Sequence, residues 1–202
     1  MILWRGDNPL VLASQSRARQ MLLTNAGLLF EAQPANINER GVVAAAKLTD
    51  PAAIAKHLSR EKALHVSKGR ADHYVIGADQ TLALGTRQFN KPVGRAQAAS
   101  QLKSLAGKTH ELHSAVSVAL DGQVLFDHVA VARMTMRPMD DTAIAAYLDA
   151  AGERVTTSVG AYQLEGLGVH LFERIDGDHF TILGLPLPPL LDFLRGRGLL
   201  AF

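Results

Sequence analysis

The chain has no cysteine among its 202 residues. That excludes disulfides, thiolate metal sites and cysteine nucleophiles, and fits a reducing compartment. It also lacks an excess of charge of one sign. Lys+Arg 21 stands against Asp+Glu 19, a net +2 with no long like-charged run despite a pI near 9.0, so the composition argues against a nucleic-acid partner. No stretch approaches the roughly 18 uninterrupted apolar residues of a membrane span. Arg5 and Asp7 lie beside the first apolar residues with no hydrophobic region or cleavage pattern after them, so the expected location is cytoplasmic and not secreted. Internal repeats, low-complexity tracts and linkers rich in Gly, Pro or Ser are absent. With 48% hydrophobic and 20% charged residues, the expectation is a single α/β domain over residues 1–202, large enough for one substantial core or two small lobes.

Complete short motifs for phosphate or metal are missing too. Gly107-Lys108-Thr109 resembles the end of a P-loop, but Leu102 stands where the first glycine belongs and a strand, not a helix, is predicted to follow. Gly166-Leu167-Gly168 has no third glycine and does not make a dinucleotide fingerprint. His110 and His113, three apart in a predicted strand, point to opposite faces and do not form a metal pair.

What is present is an alternation of strand and helix signals. Leu10 to Ala13 predicts a strand and Ser16 to Ala26 a helix, with Gly27 at its C-terminal cap. A strand at Leu29 to Ala32 and a polar connection through Asn36, Asn38 and Glu39 lead to Asp50-Pro51, which opens a helix to about Lys68 burying Ile54, Ala55 and Leu58. Tyr74 to Asp79 reads as a buried strand ending in a carboxylate, continued by Thr81 to Leu84. A helix over Ala96 to Ala106 stops at Gly107, and two long strands, His110 to Leu120 and Val124 to Met136, meet at the hairpin signal Asp121-Gly122. Asp140 or Asp141 caps a helix through Ala151, strands are predicted at Val159 to Ala161 and Val169 to Ile175, and Pro188 to Arg197 forms the last helix.

The segment Leu12-Ala13-Ser14-Gln15-Ser16-Arg17-Ala18-Arg19 carries the first functional signal. A strand running through Ser14 and Ser16 into a helix places hydroxyls and free N–H groups where the helix macrodipole favours an anion, and Arg19 adds positive charge one turn in. Taken alone, a Ser-x-Ser is more often only the cap of a helix whose apolar face is Met21, Leu22 and Leu23. A dispersed polar set at element edges accompanies it: Glu39, Lys62, Asp79, Lys91 and Glu165. By itself, Lys62 in mid-helix reads as a solvated lysine, Lys91 as a loop lysine and Asp79 as a turn residue.

Read together, Leu12-Ala13-Ser14-Gln15-Ser16 with Arg19, Glu61-Lys62-Ala63, Ile76-Gly77-Ala78-Asp79-Gln80-Thr81, Asn90-Lys91-Pro92, Leu105-Ala106-Gly107-Lys108-Thr109-His110, Glu165-Gly166-Leu167-Gly168 and Gly184-Leu185-Pro186-Leu187 resemble the Maf family of nucleotide pyrophosphatases, in order and over almost the whole chain. The resemblance implies a mixed, twisted α/β sheet with flanking helices, bilobed around a deep cleft like the inosine triphosphate pyrophosphatases, and a homodimer. It implies hydrolysis of a nucleoside triphosphate to a monophosphate and pyrophosphate with a divalent cation such as Mg²⁺, Mn²⁺ or Co²⁺. Asp79 matches the proton acceptor, and Ser14, Ser16, Arg19, Lys62 and Lys91 match phosphate-binding positions. Glu39 and Asp79 are the carboxylates for a metal. The chemistry agrees: cleavage needs cations on the leaving pyrophosphate and carboxylates to hold a metal or accept a proton.

Three positions bear on the base. The family's opening usually reads Ser-x-Ser-Pro-Arg-Arg, and here Arg17 replaces the proline and Ala18 the first arginine. The branch that prefers dTTP and UTP resembles Arg, Thr, Gln at the specificity positions, and the 7-methyl-GTP branch often Trp, Gln, Glu; this chain has Ala18, Gln80 and Glu165. Glu165 suits the adjacent N1–H and amine donors of guanine, while Ala18 cannot stack on a cationic base. The expectation is 7-methyl-GTP or a related nucleotide, with dTTP/UTP hydrolysis or a non-catalytic nucleotide-binding regulator of cell division as alternatives.

Overall fold

Val11 at the centre of the first strand lies between Glu31 and Val75 of two parallel neighbours, and Leu10, Val11 and Leu12 are all buried, so this segment can be apolar throughout. The computed structural model describes residues 3–202. Strand β1 (Leu10–Leu12) leads into helix α1 (Arg17–Asn25), β2 (Phe30–Ala32), α2 (Glu39–Ala46), α3 (Pro51–Ser67) and the long β3 (Val75–Leu84). Then come β4 (Arg87–Phe89), α4 (Arg95–Leu105), β5 (Thr109–Leu120), β6 (Gln123–Met136), α5 (Asp141–Ala151), β7 (Phe172–Asp176), α6 (His179–Ile182) and α7 (Leu187–Gly196). Among the described residues, seven strands form a mixed sheet of order β2-β1-β3-β5-β6-β7, with β4 paired to β3. The β2-β1-β3 part is parallel, whereas β3–β4 and β6–β7 are antiparallel. The mixed α/β class expected from the sequence is present. Among the described residues, no helix is long and apolar enough to cross a membrane.

The chain divides into two compact units, each discontinuous in sequence. The first comprises Met1–Gln80, Ser114–Ala130 and Leu183–Phe202. In it, α1 connects the parallel strands β1 and β2, Ser16 caps α1, and Gly27 follows the helix with φ 72°. Asp50 caps α3 through the Ala53 amide, with Pro51 in the first turn where its missing N–H costs nothing. Helix α3 buries a stripe at Ala55, Leu58, Ser59, Lys62, Ala63 and Val66, the spacing of one helical face. Val66 packs with Val11, Ala13 and Val75. The chain ends of this unit are tied by a bridge between Trp4 and Leu200.

The second unit comprises Thr81–His113 and Val131–Ile182. Its core joins Leu82, Phe89, Leu102, Leu105, Leu112, Met134, Met136, Ile144, Leu148, Tyr162 and Leu171. Asp140 caps α5 through the Ala143 amide. His110 is fully buried and its Nε2 lies 2.6 Å from the Tyr162 hydroxyl. The turn between β5 and β6, which belongs to the first unit, is Asp121-Gly122 with φ 49° and 75°, the two left-handed residues of a type I′ hairpin.

Three expectations fail. The polar connection after β2 contains α2, capped by the Asn38 side chain on the Gly41 amide. Val159–Ala161 is a 3-10 turn, not a strand, because Gly160 and Ala161 take φ 78° and 62°, values no strand admits. The strand predicted from Val169 starts only at Phe172, since Leu167–Leu171 is another 3-10 turn. There the chain folds so tightly that a Cβ on Gly168 would stand 2.4 Å from the Gln163 carbonyl oxygen.

Candidate active site

The site forms within the first unit, where the end of β1, the start of α1, β3 and α3 converge. Gly77 sets the distance between β3 and α3. A Cβ at this position would lie 2.1 Å from the Ser59 carbonyl oxygen and 2.7 Å from the Ala63 nitrogen, so only glycine lets the strand backbone rest against the helix. That approach brings Lys62, next to Ala63, against Asp79, two residues past Gly77. Lys62 Nζ donates to Asp79 Oδ1 at 2.5 Å and pairs with Glu39 Oε1 at 2.7 Å. Lys62 and Asp79 are 8% and 7% exposed; Glu39, the first residue of α2, keeps half its side chain in solvent. Burial pushes the Asp79 carboxyl above its usual range, while the charges of Lys62 and then Arg19, with the Lys62 hydrogen bond, pull it back.

Arg19 is clamped by acceptors from three parts of the unit. Its Nε donates to the Gly184 carbonyl at 2.8 Å, and Nη1 donates to the Ala78 carbonyl at 2.8 Å and to Ser14 Oγ at 3.3 Å. Those bonds leave Nη2 without a protein acceptor among the described residues. Burial draws the Arg19 guanidinium below its usual value, and Asp79 and Glu39 oppose this; an arginine remains charged in any case. Gly184 has φ 88°, and a Cβ there would meet Arg19 Nε and Nη2 at 3.4 Å. Ser14 Oγ accepts from the Ser16 amide at 3.2 Å, and Ser16 Oγ accepts from the Arg19 amide at 3.4 Å as the cap of α1. Ser16 is thus the cap of α1, and the amides of Ser16 and Arg19 are both satisfied by serine hydroxyls. Beside them, Gln80 Nε2 donates to Ser114 Oγ at 2.8 Å.

The structure thus brings together Ser14, Ser16, Arg19, Glu39, Lys62, Asp79 and Gln80, with Ala18 half-buried in the first turn of α1. Lys62 is no solvated lysine, and Asp79 lies inside the continuous β3, not at a turn. Lys91 and Glu165 belong to the second unit. Lys91 is exposed in the loop after β4, which is held by Gln101 Nε2 donating to the Asn90 carbonyl and by the Val93 amide donating to Gln97 Oε1. Glu165 is exposed in a turn closed by the Gly166 amide on the Gln163 carbonyl.

Sequence reasoning missed the residues that hold the functional groups. These are Gly77, Gly184, the Ala78 carbonyl and Ser114. Gly77 left a signal, a glycine inside a buried strand pattern, which marks close backbone approach. Lys62 left another, a lysine at i+3 and i+4 from the buried Ser59 and Leu58 of α3.

Fold and site together define a mixed α/β protein in which a clamped arginine lies beside a carboxylate–ammonium cluster. The chain belongs to the Maf family: the profile described as Maf-like protein matches residues 9–197. It is similar over its full length to the nucleoside triphosphate pyrophosphatase of Bradyrhizobium diazoefficiens, 66% identical over 201 residues with 100% of each chain covered. The protein of the same name from Rhodopseudomonas palustris strain HaA2 is 61% identical over 202 residues with 100% of each chain covered. The 7-methyl-GTP pyrophosphatase of Rhizobium johnstonii is 53% identical over 191 residues, 94% of this chain and 96% of the relative.

Proposed function

We propose that this protein is a nucleoside triphosphate pyrophosphatase. Water adds to the α-phosphorus, its proton passes to Asp79, and the bond to the bridging oxygen breaks with the electron pair leaving on pyrophosphate; the other product is a nucleoside monophosphate. The observation that carries the reading is the pairing of Lys62 with Asp79 and Glu39 beside the clamped Arg19, because it unites a proton acceptor with cations for a polyphosphate. Asp79 is suited to accept the proton because burial raises its basicity while Lys62 and Arg19 keep the ionised form accessible. Arg19 offers Nη2 in a fixed orientation, so charge developing on phosphate oxygens meets a donor that need not reorganise. Ser14 and Ser16 hold the α1 N-terminus in shape. The printed names of the full-length relatives support the same reaction.

Glu39 and Asp79 also fit a divalent cation. Their oxygens already share one cation, the Lys62 ammonium, and hard carboxylate oxygens suit Mg²⁺ or Mn²⁺. No group of three or more His, Cys, Asp or Glu gathers among the described residues, so water and substrate phosphates would have to complete the coordination of such an ion. When bound, the ion would supply Lewis-acid stabilisation of phosphate charge.

The finer proposal is 7-methyl-GTP or a related modified nucleotide as substrate. It rests on the acceptor-only carboxylate of Glu165, on Gln80, and on the printed name of the Rhizobium johnstonii relative. Pyrophosphate release from a panel of ordinary and methylated triphosphates, with Mg²⁺, Mn²⁺ and Co²⁺, tests both levels. Wild type is expected to turn over and Asp79→Asn to lose nearly all activity. Faster hydrolysis of dTTP and UTP than of 7-methyl-GTP and GTP would overturn the substrate. Binding of nucleotide without pyrophosphate release would overturn the reaction in favour of a non-catalytic regulator.

A further inference from the structure

Lys62 stands between the two carboxylates assigned to the metal. Glu39 Oε1 and Asp79 Oδ1 both contact its Nζ, and among the described residues neither carboxylate has another ion-pair partner. The ammonium and a divalent cation would therefore seek the same oxygens. We propose that Lys62 is a built-in competitor for the divalent cation: it bridges Glu39 and Asp79 and offsets one of their two negative charges before metal arrives, and withdraws from them when metal is taken up. This rests on the pyrophosphatase reading above.

The backbones of α3 and β3 are already packed closely, since a Cβ on Gly77 would lie 2.1 Å from the Ser59 carbonyl oxygen, which leaves the helix and strand no room to approach further. The change therefore falls to the side chains. Lys62 is a point charge on a flexible four-carbon stem and can turn without losing its charge, and Glu39, half in solvent at the start of α2, can follow. Charge balance favours the exchange once an anion is present. Glu39, Asp79, Lys62 and Arg19 sum to zero, which gives a polyphosphate no net attraction. With a divalent ion on the carboxylates the same cluster carries two positive charges, and the ammonium of Lys62 is released to meet phosphate oxygens together with the free edge of Arg19.

The test is binding of Mn²⁺ alone, without nucleotide, to the full-length protein at pH 8, followed calorimetrically and by electron paramagnetic resonance for wild type, Lys62→Met and Lys62→Gln. Both variants are expected to bind Mn²⁺ about tenfold or more tightly than wild type. Unchanged or weaker binding in folded variants would overturn the proposal and make Lys62 a scaffold that holds the carboxylates together. Wild type gives a second readout that needs no variant. The nitrogen-15 resonance of the buried Lys62 ammonium is expected to shift or vanish on addition of Mg²⁺, and a resonance unmoved at saturating Mg²⁺ would refute the exchange. If none of the three proteins binds Mn²⁺, the proposal and the metal assignment fall together, while pyrophosphate release by wild type decides the pyrophosphatase reading independently.

Discussion

Replacing Gly77 by alanine adds one methyl group at the contact that the whole cluster depends on. The new Cβ would lie 2.1 Å from the Ser59 carbonyl oxygen, 2.7 Å from the Ala63 nitrogen and 2.9 Å from the Ala63 Cβ. Two of these neighbours are backbone atoms, which cannot swing aside as a flexible side chain would, so β3 and α3 must separate by about an ångström. Overpacking of this kind costs about 1–3 kcal/mol, and the backbone neighbours place Gly77→Ala near the upper end. For a chain of this size that lowers Tm by about 6–12 °C. The functional loss should exceed the loss of stability, because the helix carries Lys62 and the strand carries Asp79. An ångström of misplacement costs about 10²-fold in rate, expected in kcat/KM for pyrophosphate release by the fraction still folded at 25 °C. Urea unfolding gives the stability and a coupled pyrophosphate assay the rate. A Gly77→Ala protein as stable and as active as wild type would refute the argument that this contact positions the pair.

The buried His110 predicts a pH dependence of stability. Desolvation lowers its pKa from 6.5 to about 4, so the folded state holds it neutral while the unfolded chain takes up the proton. Its contribution is complete above pH 6.5 and is lost as pH falls towards 4, about 3 kcal/mol in all. In urea melts between pH 4 and 7, His110→Phe should flatten this slope whatever its effect at neutral pH; an unchanged slope counts against the assignment. Arg19→Lys should raise KM by about tenfold or more, with a smaller change in kcat. A single ammonium cannot hold the Gly184 and Ala78 carbonyls in one plane and still present a free edge. Steady-state kinetics at constant ionic strength reads this, and an unchanged KM would show that the clamp is dispensable.

Much of the fold was legible because local chemistry and tertiary context agree. Ser16, Asp50 and Asp140 cap the helices they announce, and Asp121-Gly122 makes the hairpin it predicts. Helix α2 escaped because it is a short helix of eight residues with a glycine in its first turn and none of its residues buried; only Asn38 marked its start. Val159–Ala161 misled because its composition suits a strand, whereas the chain there is pressed against Leu82, whose Cδ1 would be 2.6 Å from a Cβ on Gly160. At the site, spacing pointed only to the Ser14-to-Arg19 segment, and neither the roles of Lys62 and Asp79 nor the partners of any of these residues followed from it. Lys62 and Asp79 are 17 residues apart and Arg19 reaches Gly184 across 165. Contacts of that range come from packing, and only the resemblance to a family connected those residues beforehand.

The central claim is that the bond between the α and β phosphates is the one broken. Phosphorus-31 NMR of a nucleoside triphosphate incubated with wild type and Mg²⁺ reads the products directly. The account predicts a nucleoside monophosphate and pyrophosphate in equal amounts, absent with Asp79→Asn. A nucleoside diphosphate with inorganic phosphate, or equal turnover by Asp79→Asn, would contradict it.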